Sequence, residues 1–168
     1  MKKNLPKYCW DTTVFVAWLN RQSNAPLGDI DAVLDDVVAG RAMLIVPVTV
    51  YTEIVRAKHA PQQIRAFDAF LSRSTVRRAD GSFNVAKKAE QIRSRGHTLS
   101  RRGEARNIKT PDATIIATAI LFEVDALHSL EPRHHRLSGT KIVEGLKICS
   151  PVHVSGQRAL ELGWTGTE

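Results

Sequence analysis

Cysteine and long apolar runs are scarce in this sequence. Its two cysteines, Cys9 and Cys149, lie in short apolar segments, and two cysteines alone make no zinc site. We predict that both are buried core residues in a reducing compartment. The longest apolar stretch, residues 113–122, is far shorter than the roughly 20 residues that span a bilayer. The basic N-terminus has no apolar run behind it, so no signal peptide is supported. We expect a cytoplasmic protein with no membrane partner.

Basic residues outnumber acidic ones. The sequence has 24 Lys and Arg and 17 Asp and Glu, which gives a formal net charge of +7. Such a surface attracts phosphate polyanions and favours a nucleic-acid partner. Many basic proteins bind no nucleic acid, however, and the charge alone leaves both interpretations open.

Short strand candidates alternate with longer helical segments. Residues 43–47 form a continuous apolar run, typical of a strand covered on both faces. The other predicted strands are 8–10, 75–78, 125–129 and 147–150. The predicted helices are 12–20, 29–39, 48–59, 61–74, 84–95 and 111–123, with an exposed loop or fraying helix end over 94–109. This alternation predicts an α/β fold whose parallel sheet has helices on both faces. We predict one domain, 1–151, and a C-terminal tail, 152–168.

Acidic residues follow the predicted strands. Asp11 comes directly after the first strand, Glu53 lies about a turn and a half beyond the second, and Glu131 follows strand 125–129. Ligands of such sheets bind beyond the carboxyl ends of the strands, so we expect these carboxylates and Asp112 to meet there. Clustered carboxylates repel one another unless a positive charge lies between them, which favours a divalent metal.

The run KTPDATIIATAI at residues 109–120 is the most informative segment. Thr110 suits a helix N-cap, Pro111 suits the first helical position, and Asp112 then lies in the first turn. The remainder is almost entirely apolar, which is typical of a buried helix. The acidic start of this helix should therefore open onto a crevice.

Two of the acidic residues have ordinary explanations as helix-start residues. Asp11 suits the N-cap of the helix that begins at Thr12, a contact that contributes about 1 kcal/mol. Asp112 suits a favourable interaction with a helix dipole, which contributes about 0.3–1 kcal/mol. Taken singly, each explanation is at least as good as a functional one.

The other two acidic residues, Glu53 and Glu131, differ in how well an ordinary structural role explains them. Glu53 has no capping-box partner, because Val50 stands where Ser or Thr is required, although Arg56 offers an ion pair. Glu131 precedes Pro132 and suits an ordinary loop. The arrangement of all four acids, rather than any single one, favours a site.

Histidines and arginines near these acids have competing interpretations. His134 and His135 follow Glu131, but adjacent histidines project differently and no Cys or His stands at ligand spacing. We predict a solvated helix start for both histidines. His128, at a strand end, suits contact with a phosphate or a packed core position, and we favour the packed position. A basic loop precedes Asp112, as either a solvated face or a phosphate-binding surface, and its residues predicted to contact phosphates are Arg101, Arg102 and Arg106.

Four segments in order resemble the acidic motifs of PIN-domain ribonucleases, and most closely those of the VapC-type toxins of bacterial toxin–antitoxin pairs. They are DTT at 11–13, VTVYTE at 48–53, KTPDATIIATA at 109–119 and LHSLE at 127–131. The ending LKICSP at 146–151 resembles the last strand of that family. The likeness spans residues 8–151, nearly the whole chain.

The resemblance implies a three-layer α/β/α domain with a central parallel sheet, which binds Mg²⁺ or Mn²⁺ and cleaves RNA. The implied catalytic residues are Asp11, Glu53, Asp112 and Glu131, and the implied metal ligands are Asp11, Asp112 and Glu131. Glu131 stands where the family usually has Asp, and its extra methylene moves the carboxylate outward, which Mg²⁺ tolerates badly. A homodimer and a cognate antitoxin protein are also implied.

The resulting hypothesis is a metal-dependent endoribonuclease, the toxin of a type II pair. Asp11 and Asp112 would hold a metal that activates water, Glu53 would orient or deprotonate that water, and Glu131 would complete the coordination. The main alternative is a non-catalytic PIN-like module that binds RNA or a protein. A DNA nuclease would use the same metal chemistry. A haloacid dehalogenase phosphatase needs a second Asp where Thr13 stands, so we discount it.

Overall fold

Five parallel strands form the centre of the computed structural model, which describes residues 5–101 and 107–152. The strands are β1 (Lys7–Trp10), β2 (Met43–Pro47), β3 (Val76–Ala79), β4 (Ala126–His128) and β5 (Ile148–Cys149). Their order across the sheet is β3-β2-β1-β4-β5, and every neighbouring pair is parallel. The chain thus builds one half of the sheet outward from β1 and then returns to the other side of β1. A ligand crevice is expected where these connections diverge, at the carboxyl ends of β1 and β4.

Helices cover the sheet and give the three-layer α/β/α fold that the sequence predicts. They are α1 (Thr12–Asn20), α2 (Leu27–Val38), α3 (Val48–Arg56), α4 (Pro61–Leu71), α5 (Phe83–Arg101), α6 (Thr110–Leu121) and the short α7 (Pro132–His135). A 3-10 turn, Lys141–Val143, precedes β5. No helix of the described ranges has both the length and the apolarity needed to cross a bilayer.

The core lies between the sheet and the helices. In β1, Tyr8, Cys9 and Trp10 are all buried, as a strand with both faces covered requires. The apolar helix predicted after Asp112 is confirmed, because α6 is buried along most of its length and packs against α5, β2 and β4. Its acidic first turn is therefore held in a fixed place relative to the strands.

Helix α5 continues beyond its predicted end. We predicted a stop at Gly96, with an exposed loop or a fraying helix end over residues 94–109, and the helix runs on to Arg101. Val85, Ala89, Ile92 and Gly96 are buried at helical spacing, so the glycine lies on the packed face of α5. Glycine within a helix costs about 1 kcal/mol, and packing against α6 outweighs that cost.

Two smaller predictions about local structure are wrong. Thr110 is not the N-cap of α6, because Lys109 takes that position and its carbonyl accepts the first helical hydrogen bond, from the Ala113 amide. Cys149 is half-buried rather than fully buried, because it lies on the edge strand β5. The predicted tail, 152–168, lies outside the described residues apart from Val152.

Candidate active site

One pocket of about 280 Å³ is lined by all four of the predicted carboxylates. Asp11 follows β1, Glu53 belongs to α3, Asp112 lies in the first turn of α6, and Glu131 precedes α7. The remaining lining residues are Thr12, Thr13, Ile115, Arg133 and His134. The structure therefore brings together acids that are far apart in the sequence, at the edge of the sheet where they were expected.

Asp11 serves both as a helix cap and as a pocket residue. Its Oδ1 accepts hydrogen bonds from the backbone N–H of Thr13 at 3.0 Å and of Val14 at 3.3 Å, so the N-cap interpretation is correct. Its Oδ2 instead lies 3.2 Å from Nδ1 of His134. The cap fixes the orientation of a carboxylate that is only 2% exposed, and leaves the second oxygen for the pocket.

Thr13 connects the two loops that carry Asp11 and Glu131. Its hydroxyl donates to Asp11 Oδ1 at 2.5 Å and accepts from the backbone N–H of Leu130 at 2.9 Å. The start of α1 is thereby tied to the segment that follows β4. We did not identify Thr13 as a site residue from the sequence, and the signal that marks it is a hydroxyl within two residues of the capping Asp.

Glu53 is held in place by α1. The hydroxyl of Thr12 donates a short hydrogen bond to Glu53 Oε2, which links α1 to α3. Within the described residues this hydroxyl, rather than Arg56, is the partner of Glu53. The alternative of an ion pair with Arg56 is therefore wrong, and the carboxylate lies in the pocket.

Glu131 lines the pocket but pairs with its own helix. It is the N-cap of α7, where its Oε1 accepts from the backbone N–H of Arg133 at 3.4 Å and from Arg133 Nε at 2.9 Å. The hydrogen bond from the Arg133 guanidinium holds the pKa of Glu131 below its usual value. In this conformation Glu131 is thus turned toward a cation of the protein.

His134 lies between two of the carboxylates. Its Nδ1 is 3.2 Å from Asp11 Oδ2, and its Nε2 is 3.4 Å from Asp112 Oδ1. Burial lowers the pKa of His134, but hydrogen bonds to Asp11 and Asp112 raise it by more, to about 9. The predicted solvated position is wrong for this residue, which is only 8% exposed because α7 places it against the pocket. The signal in the sequence was a histidine three residues after an acidic N-cap, a spacing that puts two side chains on one side of a helix.

His128 lies under the site, in the core. It is fully buried, is stacked on Tyr8 with 4.7 Å between ring centroids, and accepts a 2.9 Å hydrogen bond from Trp10 Nε1. Burial lowers the pKa of His128 to about 3, so the ring is neutral. The prediction of a packed histidine is confirmed.

The oxygen ligands that Mg²⁺ or Mn²⁺ requires are present in this pocket. Asp11 and Asp112 both contact the ring of His134, and Mg²⁺ is commonly held by one or two carboxylates together with water. The predicted set of three ligands is not assembled, since Glu131 pairs with Arg133. Among the residues that the structure describes, no three His, Cys, Asp or Glu side chains form a ready metal-binding group. Asp11 and Asp112 are therefore the two carboxylates of the pocket that contact a common group, His134.

The arginines predicted to contact phosphates lie at the margin of the described chain. Arg102 and Arg106 are outside the described residues, and Arg101 is the last residue of α5. Their predicted role stays a prediction. The basic side chain that lines the pocket itself is Arg133.

Comparison with known proteins identifies the family to which this chain belongs. The model of the PIN domain matches residues 8–139, and the chain belongs to the PIN domain family. A search of curated protein sequences gave no match.

Several solved structures are similar in fold. VapBC2 from Rickettsia felis, bound to a promoter DNA fragment, has 18% identity and a TM-score of 0.58, over 84% of this chain and 96% of that chain. A toxin–antitoxin complex from Klebsiella pneumoniae has 19% identity and a TM-score of 0.58, over 88% and 99%. Mycobacterium tuberculosis VapC20, a sarcin–ricin loop cleaving toxin, has 18% identity and a TM-score of 0.51, over 74% and 89%. At such identities the likeness establishes the fold.

Proposed function

We propose that this protein is a metal-dependent endoribonuclease of the VapC type, the toxin of a type II toxin–antitoxin pair. The observation that carries the proposal is the convergence of Asp11 and Asp112 on the ring of His134, in a pocket that Glu53 and Glu131 also line. Membership of the PIN domain family and the net charge of +7 support a nuclease with a polyanionic substrate.

The site residues have distinct roles in this proposal. Asp11 and Asp112 hold Mg²⁺ or Mn²⁺, which would neutralise charge on the scissile phosphate and lower the pKa of an attacking water. Glu53, fixed by Thr12, orients that water or accepts its proton. Glu131 also lines the pocket, where it would offer the metal a further carboxylate once its contact with Arg133 is released.

A protein partner is part of the same proposal. The similar structure from Klebsiella pneumoniae is a toxin–antitoxin complex, and we propose that a small antitoxin protein likewise binds this chain. A homodimer stays a prediction from the family resemblance. Expression in a bacterial host tests the toxin assignment. Growth should stop with the wild type and continue with Asp11→Asn, and equal growth of both would contradict it.

RNA cleavage tests the chemistry directly. Purified wild type should cut a mixture of RNAs when Mg²⁺ or Mn²⁺ is added and should stop when the ion is chelated. Asp112→Asn should cut at least about 100-fold more slowly, because even the partners of metal ligands are worth 10–100-fold. Asp29→Asn is the matched control, since Asp29 is an exposed aspartate in the first turn of α2. Intact RNA after incubation of the wild type with either ion would contradict the proposal.

A non-catalytic PIN-like module is the second candidate function. The observation that favours it is that Glu131 pairs with Arg133 and leaves no assembled set of three ligands among the described residues. Such a module would bind RNA without cutting it. RNA retained equally by wild type and Asp112→Asn in a filter-binding assay, with no cleavage by either protein, would favour this candidate over the nuclease.

A further inference from the structure

We propose that His134 occupies the position between Asp11 and Asp112 that a divalent ion would take, so that the imidazole and the ion compete for these carboxylates. The inference rests on the metal site of the proposed function. His134, which is not one of the predicted acidic residues, would then control how tightly the site binds the metal.

The first step is the placement of the ring. Its two nitrogens face two different elements, since Asp11 follows β1 and Asp112 lies in the first turn of α6. Nδ1 lies within hydrogen-bonding distance of Asp11 Oδ2, and Nε2 contacts Asp112 Oδ1 at 3.4 Å. The ring is nearly buried, which places it inside the pocket rather than at its rim.

The second step concerns which oxygens remain for an ion. Asp11 Oδ1 is used by the Thr13 hydroxyl and by two backbone amides of α1. The oxygen left for a metal is Oδ2, which is the one in contact with His134. A hydrated ion and the imidazole cannot both contact this oxygen and Asp112 Oδ1 from the same side, so one of them must leave.

The third step is where the ring can go. Ser129 is buried beside His134, and its Oγ lies 3.0 Å from His134 Nδ1. The ring can therefore release both carboxylates and keep a hydrogen bond to Ser129. Without metal, His134 separates two carboxylates that would otherwise repel each other; with metal, the ion takes over that role.

Direct measurement of Mn²⁺ binding tests the competition. The fraction of free Mn²⁺, read from its electron paramagnetic resonance signal at one fixed pH, gives the dissociation constant without any assay of activity. His134→Ala should bind Mn²⁺ about tenfold more tightly than wild type, because the ion no longer has to displace the ring from its contacts with Asp11 and Asp112. His97→Ala removes an exposed histidine of α5 and should keep the wild-type constant.

The outcomes separate this inference from the proposed function. Equal binding by wild type and His134→Ala would overturn the competition and leave the metal site intact. Weaker binding by His134→Ala would also overturn it, since the ring would then be a ligand or a support for the ligands. Wild-type affinity in Asp112→Asn, or no binding by any variant, would remove the metal site and with it both proposals.

A measurement on the wild type covers the case in which the alanine variant does not fold. In nitrogen-15 spectra of the histidine rings, addition of Mg²⁺ should shift the His134 signals as the ring leaves the carboxylates. The His128 ring, bound to Trp10 in the core, should keep its signals. An unchanged His134 ring at saturating Mg²⁺ would overturn the inference.

Discussion

Two buried histidines of this protein have opposite protonation behaviour. His128 is fully buried and His134 is 8% exposed. Burial lowers the pKa of His128 to about 3. Burial also lowers the pKa of His134, but the contacts with Asp11 and Asp112 outweigh it and raise this pKa to about 9. The ring of His128 is stacked on an aromatic side chain and accepts from Trp10, whereas His134 lies between two carboxylates. Burial alone therefore does not decide the charge of a side chain; the neighbouring charges do.

The two histidines belong to two different environments, the core below the carboxyl ends of the strands and the pocket above them. Below the carboxyl ends of β1 and β4, the His128 ring is stacked on Tyr8, and its Nε2 has no hydrogen-bond partner among the described residues. Above them the pocket contains ionisable side chains, with Asp11 and Asp112 around His134 and with Glu131 beside Arg133. Electrostatic interactions between these side chains are strong because the protein interior below them has a low dielectric constant.

The largest difference expected between the two histidines is in their titration. Nuclear magnetic resonance of the metal-free protein should show a His128 ring that stays neutral between pH 5 and 8. The His134 ring should stay protonated through neutrality and lose its proton near a pKa of about 9. Titration of both rings near the ordinary pKa of about 6.5 would contradict the opposite pKa shifts of the two histidines.

Replacement of Trp10 should have the largest effect on stability. Trp10→Ala empties a fully buried position and should lower the free energy of unfolding by about 3–5 kcal/mol. Trp10→Phe keeps most of the ring volume but leaves His128 Nδ1 without its donor, which costs about 1–3 kcal/mol. Urea denaturation measures both, and an unchanged stability of Trp10→Phe would show that the hydrogen bond to His128 contributes nothing.

Replacement of His134 should give a loss that depends on pH. The folded-state pKa of about 9 lies above the unfolded value, so the stability from this ring is complete below about pH 6.5 and disappears as pH rises through 9. In metal-free buffer, His134→Gln should cost about 1.5–3 kcal/mol at pH 6 and much less at pH 10. Urea denaturation of both proteins at the two pH values measures this, and a cost independent of pH would contradict it.

Replacement of Arg133 should have the smallest effect on stability. Arg133 is half exposed and its ion pair with Glu131 is formed in solvent, where such pairs contribute little. Arg133→Gln should therefore leave the urea midpoint nearly unchanged, while it frees Glu131 to turn into the pocket. A loss as large as that of His134→Gln would show that the two ion pairs do not differ as the structure indicates.

The fold and the positions of the acids were predictable because they depend on local patterns. Apolar runs identify the buried strands, and Asp11 follows the first of them directly. The Pro111-Asp112 pair before an apolar run predicts a buried helix with an acidic start, and α6 has both. Parallel strands then place these acids at one edge of the sheet.

The remaining features depend on tertiary packing. The sequence places His134 three residues after an acidic N-cap, but its contacts with Asp11 and Asp112 follow from where the short helix α7 lies beside the pocket. The length of α5 depends on contact with α6, which allows Gly96 inside the helix. Glu131 meets Arg133 only because it caps α7.

The position of a bound ion is the most direct test of the account. Crystals of the wild-type protein soaked in Mn²⁺ would locate the ion by its anomalous scattering. The account predicts a peak bound to the carboxylates of Asp11 and Asp112, with the ring of His134 moved from between them toward Ser129. A peak elsewhere on the protein, or none in a preparation that cuts RNA, would contradict it.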